Sequence, residues 1–270
     1  MKSLHNKSLI VTASIFVSMF SLPVQASFNW SFTSGCGNGS QVVSCSQNSN
    51  GNIATATAWS TKSSSPTAQL EQGTLGRWDG LGVTNTGEGT SSPNHATDNS
   101  GRYDSILFNF TTAVALTQVS MGWVQNDADF SLLRYIGDGS GSPDNLTNET
   151  YSGLTSGGSW ELVGNYNSFS GGADNQTANV NGSGVNYNGS NINSDLTKTS
   201  SLWLVAAMNG NWGWTDSNKD YFKLKSLAGY TPPPPDIPGV PEPSTLALMS
   251  MSFLAFGFTQ RRRKRNLALD

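Results

Sequence analysis

The chain has 270 residues, of which 12% are charged, and a formal net charge of −3. That total hides an asymmetry: Ser27 to Pro243 holds 8 Lys plus Arg against 17 Asp plus Glu, a net charge of −9, while basic residues crowd into Arg261 to Arg265. An acidic body argues against nucleic acid as a partner, and the abundance of tryptophan and phenylalanine in patterned runs argues against a disordered chain.

The first segment starts basic, with Lys2 and Lys7, and continues through an apolar run from Leu9 to Leu22. Val24-Gln25-Ala26 has the small-x-Ala form of a cleavage site, so residues 1–26 read as a signal peptide handed to the export machinery. An anchoring helix is the weaker reading, because the run is short and ends at Pro23. The body, 27–230, is long enough for one sizeable core and suits one β domain.

Cys36 and Cys45 come early in the body, within GCGNGSQVVSCS. In an oxidising compartment they read as a disulfide. No histidine lies close enough to complete a zinc site, and the C-x-x-C spacing of a catalytic dithiol is absent.

Strand signals then follow one another. They are Phe28–Phe32, Ile53–Trp59, Leu70–Trp78, Leu81–Val83, Ile106–Phe110, Val114–Trp123, Phe130–Ile136, Trp160–Tyr166, Leu202–Met208 and Tyr221–Leu227. Gly, Asn, Asp, Ser and Pro fill the gaps with turn chemistry. The prediction is an all-β antiparallel β-sandwich or jelly-roll-like domain. Two Gly/Ser/Asn-rich stretches, 137–159 and 167–199, read as long surface loops.

Candidate chemistry is sparse. His95 lies three residues before Asp98 in PNHATDN. A histidine beside a carboxylate suits a general base, but no G-x-S-x-G elbow or H-E-x-x-H pattern accompanies it. The plainer expectation is a ring that satisfies a buried turn through Asp98 or a backbone carbonyl. Carboxylates gather in three loops: Asp98, Asn99 and Asp104; Asp127 and Asp129; and Asp216, Asn218 and Asp220. The D-x-N-x-D spacing of the third can aim alternate oxygens at calcium. It departs from the EF-hand pattern, with Tyr221 where the turn glycine belongs and Leu227 at the twelfth position. Solvated turn carboxylates are the competing reading. Paired carboxylates also serve glycoside hydrolysis, but only at defined separations. Trp212 and Trp214, in NGNWGWTD, have the side chains that stack on sugar faces; packing in the core is the alternative.

Residues 231–239 form a linker, and Pro232 to Pro235 hold it extended. Residues 240–265 then present three units in order. Pro241-Glu242-Pro243 is a rigid extended handle. Leu246 to Phe258 is an apolar run; as a helix from Ser244 to Gln260 it spans about 25 Å, short of the ~30 Å hydrocarbon core by a margin that snorkelling and bilayer thinning close. Arg261, Arg262, Arg263, Lys264 and Arg265 are a stop-transfer cluster expected to stay cytoplasmic, followed by a short tail, 266–270. The expected membrane element is thus a short C-terminal transmembrane helix.

The order of these units, with Val240-Pro241-Glu242-Pro243-Ser244-Thr245-Leu246 at its head, resembles the PEP-CTERM sorting signal of Gram-negative bacteria. The resemblance implies recognition and cleavage near the triplet by a membrane-embedded exosortase, a transient inner-membrane anchor, and delivery to the cell surface or an exopolysaccharide matrix. Within the body, Asp79–Val83, His95-Ala96-Thr97-Asp98-Asn99 and Asp104–Phe110 are similar to the start of an exosortase-dependent surface-protein family, and Val119–Trp123, Leu202–Ala207 and Asp220–Leu227 fit the same pattern. That likeness implies a secreted structural protein with no known reaction. The expectation is therefore a non-enzymatic surface or matrix protein with no required cofactor and calcium as an optional ion. A carbohydrate-binding module stands as the alternative, ahead of a glycosidase or esterase.

Overall fold

The computed structural model describes residues 26–39, 41–137, 142–166, 177–179, 198–213, 217–232 and 249–252. Residues 1–25 of the expected signal peptide, most of the expected loop 167–199, the Pro-Glu-Pro handle, the arginine cluster, Trp214 and Asp216 lie outside the described residues. The chain divides into two compact units, Gln25–Pro232 and Met1–Val24 with Pro233–Asp270. In the second unit, 249–252 is helical. No helix among the described residues is long and apolar enough to cross a membrane.

The first unit is all-β and antiparallel. Among the described residues thirteen strands join in one continuous sheet. They are β1 (Ser27–Ser31), β2 (Ser44–Ser49), β3 (Asn52–Thr61), β4 (Leu70–Gln72), β5 (Thr74–Arg77), β6 (Leu81–Thr84), β7 (Thr97–Asp98), β8 (Asp104–Asn126), β9 (Phe130–Tyr135), β10 (Trp160–Tyr166), β11 (Thr177–Asn179), β12 (Ser200–Ala207) and β13 (Asp220–Tyr230). Among the described residues of this unit one helix, α1 (Tyr151–Ser156), interrupts them.

The long strand β8 organises the sheet. Its first part, Asp104 to Phe110, lies between β3 and β12. Its second part, Ala115 to Asn126, pairs with β13, which in turn carries β1, β6 and β7. The exposed Thr111, Thr112 and Ala113 mark the passage from one set of partners to the other. Expected as two strands, Ile106–Phe110 and Val114–Trp123 are one.

Alternation explains the packing. In β1, Phe28 and Trp30 point inward while Ser27, Asn29 and Ser31 point out, as the period-2 pleat requires. The inward residues of β1 and β13 meet those of β8, β9 and β12 in one core. Trp30 stands edge-on to Phe110 at 4.7 Å, and Phe32 lies 5.4 Å from Phe108. β8, β9 and β12 bury their other face as well: Leu107, Leu133, Leu202, Leu204 and Ala206 belong to a second cluster with Leu146, Tyr151, Leu154 and Trp160. Burial on both faces is why Ile106–Phe108 and Leu202–Ala207 read as continuous apolar runs.

That second cluster corrects the reading of 137–159 as surface loop. Thr150 caps α1, its Oγ1 accepting from Gly153 N at 2.9 Å, a common helix start. Tyr151 and Leu154 then turn onto the sheet. Cys36 and Cys45 form the expected disulfide, with Cα atoms 5.4 Å apart, tying the turn after β1 to β2.

Candidate functional site

The acidic loops converge where β7, both ends of β8 and the start of β13 meet. Asp98 faces Tyr221 across one ladder, and Asn126 faces Asp220 across another. Asp127, Asp129 and Asp220 are buried and bring carboxylate oxygens within 4.8 Å of one another. Asn99 clamps this group. Its Nδ2 donates to Asp220 Oδ2 and, at 2.9 Å, to the Met208 carbonyl, while its Oδ1 accepts from Asp220 N at 3.0 Å. Asp220 Oδ1 accepts from Asp129 N at 2.7 Å, and Asp127 Oδ1 accepts from Ala128 N at 2.9 Å. Asn218, placed by its spacing in a calcium loop, instead donates its Nδ2 to Asp127 Oδ2 at 3.1 Å. Asp220 is therefore joined to Asp127 and Asp129 from β8's far end, a partnership across the sheet that linear spacing does not show.

Asp98 looks to a different group. With Asp104 and Glu88 it forms a second set of carboxylates whose oxygens lie within 4.8 Å. Asp98 Oδ1 accepts from Ser100 N at 2.9 Å, and Asp104 Oδ1 accepts from Asn85 Nδ2 at 3.2 Å. Burial, then the charge of the neighbouring carboxylates, pushes both aspartates well above the usual range. Burial raises Glu88 too. Loss of hydration disfavours the ionised form, and like charges add to the penalty. Glu88 escaped sequence reasoning because it stands alone in TGEGT; its flanking glycines signal a turn but not what that turn meets.

His95 is not bonded to Asp98. Its ring stacks on Trp78 at 3.8 Å, and its Nδ1 meets Lys223 Nζ. Lys223 is 3% exposed and sits over the rings of Trp78 and Trp123, at 4.7 and 4.9 Å from their centroids. Burial lowers the pKa of His95, and the Lys223 charge lowers it further. Burial also pushes Lys223 down to about 8, against a pull upward from Asp79. Two close backbone approaches hold this arrangement: a Cβ at Gly82 would overlap the His95 carbonyl, and one at Gly122 the Asp79 carbonyl. The histidine is thus braced by an amine and an indole. Lys223 was missed because a lysine alternating with Lys225 in YFKLK reads as the solvated face of a strand.

Trp212 packs against the second core cluster, edge-on to Tyr151 at 5.5 Å. Its carbonyl accepts from Asn165 Nδ2 at 3.1 Å.

No curated protein and no solved structure matches the chain. A family model does, over residues 239–264, described as the PEP-CTERM protein-sorting motif. The matched residues run from the end of the proline linker through the handle and apolar run into the basic cluster, within one residue of the expected 240–265. They support export and processing by an exosortase, and they leave residues 27–230 without a named relative. The chain carries a PEP-CTERM protein-sorting motif over residues 239–264.

Proposed function

We propose that this is a structural protein of the cell surface or exopolysaccharide matrix, without enzymatic activity, whose β domain, sandwich-like in its doubled packing, is the exported cargo. The sorting motif over 239–264 carries the reading. A leader on residues 1–26 starts export, the apolar run holds the chain briefly in the inner membrane, and an exosortase cuts near Pro241-Glu242-Pro243. The non-enzymatic reading draws support from His95, whose ring is engaged by Trp78 and Lys223.

Intact mass of the protein from envelope and medium fractions, with and without the host exosortase, tests the sorting. A mass ending near Pro243 only when the enzyme is present supports it; a mass retaining Phe258 and the arginines in both strains refutes it. Hydrolysis of any member of a panel of glycans and esters by the purified protein would refute the non-enzymatic part.

A further inference from the structure

We propose that Glu88, Asp98 and Asp104 form a binding site for a divalent cation, calcium by the chemistry of its donors. The site lies apart from the D-x-N-x-D loop at Asp216, Asn218 and Asp220, and apart from the sorting tail.

Three separate segments build it. Glu88 comes from the turn after β6, Asp98 from β7 and Asp104 from the first position of β8. The two aspartates are fixed by ladders: Asp98 opposite Tyr221 on β13, and Asp104 opposite Ser60 on β3. Each residue offers a carboxylate oxygen, and these oxygens lie within 4.8 Å of one another. Ligands at about 2.4 Å on opposite sides of one calcium ion are separated by about 4.8 Å.

The acidic cluster alone would not make a site; unpartnered oxygens point to a ligand. Glu88 Oε2, Asp98 Oδ2 and Asp104 Oδ2 are each buried without a hydrogen-bond partner. Asp98 is 1% exposed and Asp104 0%. Buried polar atoms are almost always satisfied, and an exception calls for an explanation such as an ion. In the neighbouring cluster, both carboxylate oxygens of Asp127 and of Asp220 accept hydrogen bonds.

Nor is any of the three carboxylates in an ion pair among the described residues. The ion pairs among the described residues use Glu71 and Glu161. Arg102, whose charge reaches Glu88, donates its hydrogen bonds to Glu71, to Thr86 Oγ1 and to the Thr61 carbonyl. Three carboxylates so placed must either hold protons or share a cation. All three donors are oxygens, the ligand set of a hard ion and not of zinc or copper. His95, the nearest imidazole in sequence, is turned to Lys223 instead.

Solvent reaches the edge of the site at Glu88. Glu88 lines a surface cleft of about 630 Å³ with Asn85, Asn94, Ser100 and Arg102. Water from that cleft can fill the remaining positions of a six- to eight-coordinate calcium shell.

The test uses the full chain, purified in detergent, stripped with EDTA and titrated with calcium chloride by calorimetry and thermal melting. The expected result is one site with Kd of about 10⁻⁴–10⁻³ M, the range of extracellular calcium modules, and a Tm that rises to a plateau as it fills. Glu88→Gln keeps the side-chain shape at a half-buried position and weakens binding by about tenfold or more, because ligand charge count tunes affinity. Asp98→Asn does the same; should it fail to fold, Glu88→Gln decides alone. Asn218→Ala, on the other acidic group, leaves the affinity unchanged. Absence of heat and Tm shift at about 10 mM calcium would overturn the proposal. So would an affinity unchanged in Glu88→Gln or lost in Asn218→Ala, which would place the ion at the other cluster.

Discussion

Lys223 shows how far a single position can depart from what its neighbours in sequence suggest. Tyr221-Phe222-Lys223-Leu224-Lys225 alternates, and Phe222 and Leu224 do face the core. Lys223 points the other way, where solvent would be expected, but Trp78, Trp123 and His95 cover that face. A lysine amine over two aromatic faces gains cation–π attraction, while losing water favours its neutral form. Its pKa of about 8, against 10.5 for a free lysine, fixes a sign. Between those values the unfolded chain holds the proton and the folded chain has released it, so the unfolded state binds more protons and stability rises with pH. Below about pH 8 both states are protonated, and the cost of the buried charge is constant. Urea midpoints measured from pH 8 to 10.5 should rise in the wild type relative to Lys223→Met, in which this slope disappears. None of this was legible in the sequence, because the covering residues come from the turn after β5, from β8 and from the loop before β7.

At the level of elements, what could be read depended on whether the information was local. The pleat periodicity of β1 and the apolar density of β12 are local, and both predicted strands are present. The union of Ile106–Phe110 with Val114–Trp123 was hidden by Thr111, Thr112 and Ala113. Those residues look like a turn by polarity, yet they sit in an extended strand that changes partners. Likewise 137–159 looked like loop, because Gly, Ser and Asn outnumber its apolar anchors. The anchors decide: Leu154 is buried beside Tyr151 in the second core cluster. Leu154→Ala should therefore destabilise by about 2–5 kcal/mol in equilibrium denaturation, as buried leucine truncations do; a surface-loop leucine would change by less than about 0.5 kcal/mol. The disulfide gives a companion prediction. Cys36 and Cys45 are nine positions apart, and closing so short a loop contributes about 2.5–3 kcal/mol in the chain-entropy account. Paired Cys36→Ser and Cys45→Ser substitutions should lower stability by about that amount. Reductant should do the same to the wild type and leave the double variant unchanged.

For the whole molecule, the sorting tail was the most legible part and the acidic sites the least, for one physical reason. A handle, an apolar run and a charge stop act through their order along the chain, so reading them needs no tertiary contact. Glu88, Asp98 and Asp104 act only after three segments have been brought together by ladders to β13 and β3. The candidate site was therefore half visible: Asp98 and Asp104 were singled out, but with Asn99, which clamps the other cluster. The two parts of the molecule can be separated experimentally. Replacing Pro241-Glu242-Pro243 by alanines removes the rigid handle while keeping the apolar run and the arginines. On the sorting proposal, that variant should stay in the membrane fraction with an intact mass that retains Phe258, while the wild type is shortened to about Pro243. The β domain, its disulfide and its calcium-dependent Tm shift should be unaltered, because the substituted residues lie outside Gln25–Pro232. Cleavage of the alanine variant at the wild-type position would show that the triplet is not what the protease reads. The cation site would still stand or fall on the calcium titrations of the wild type, Glu88→Gln and Asn218→Ala.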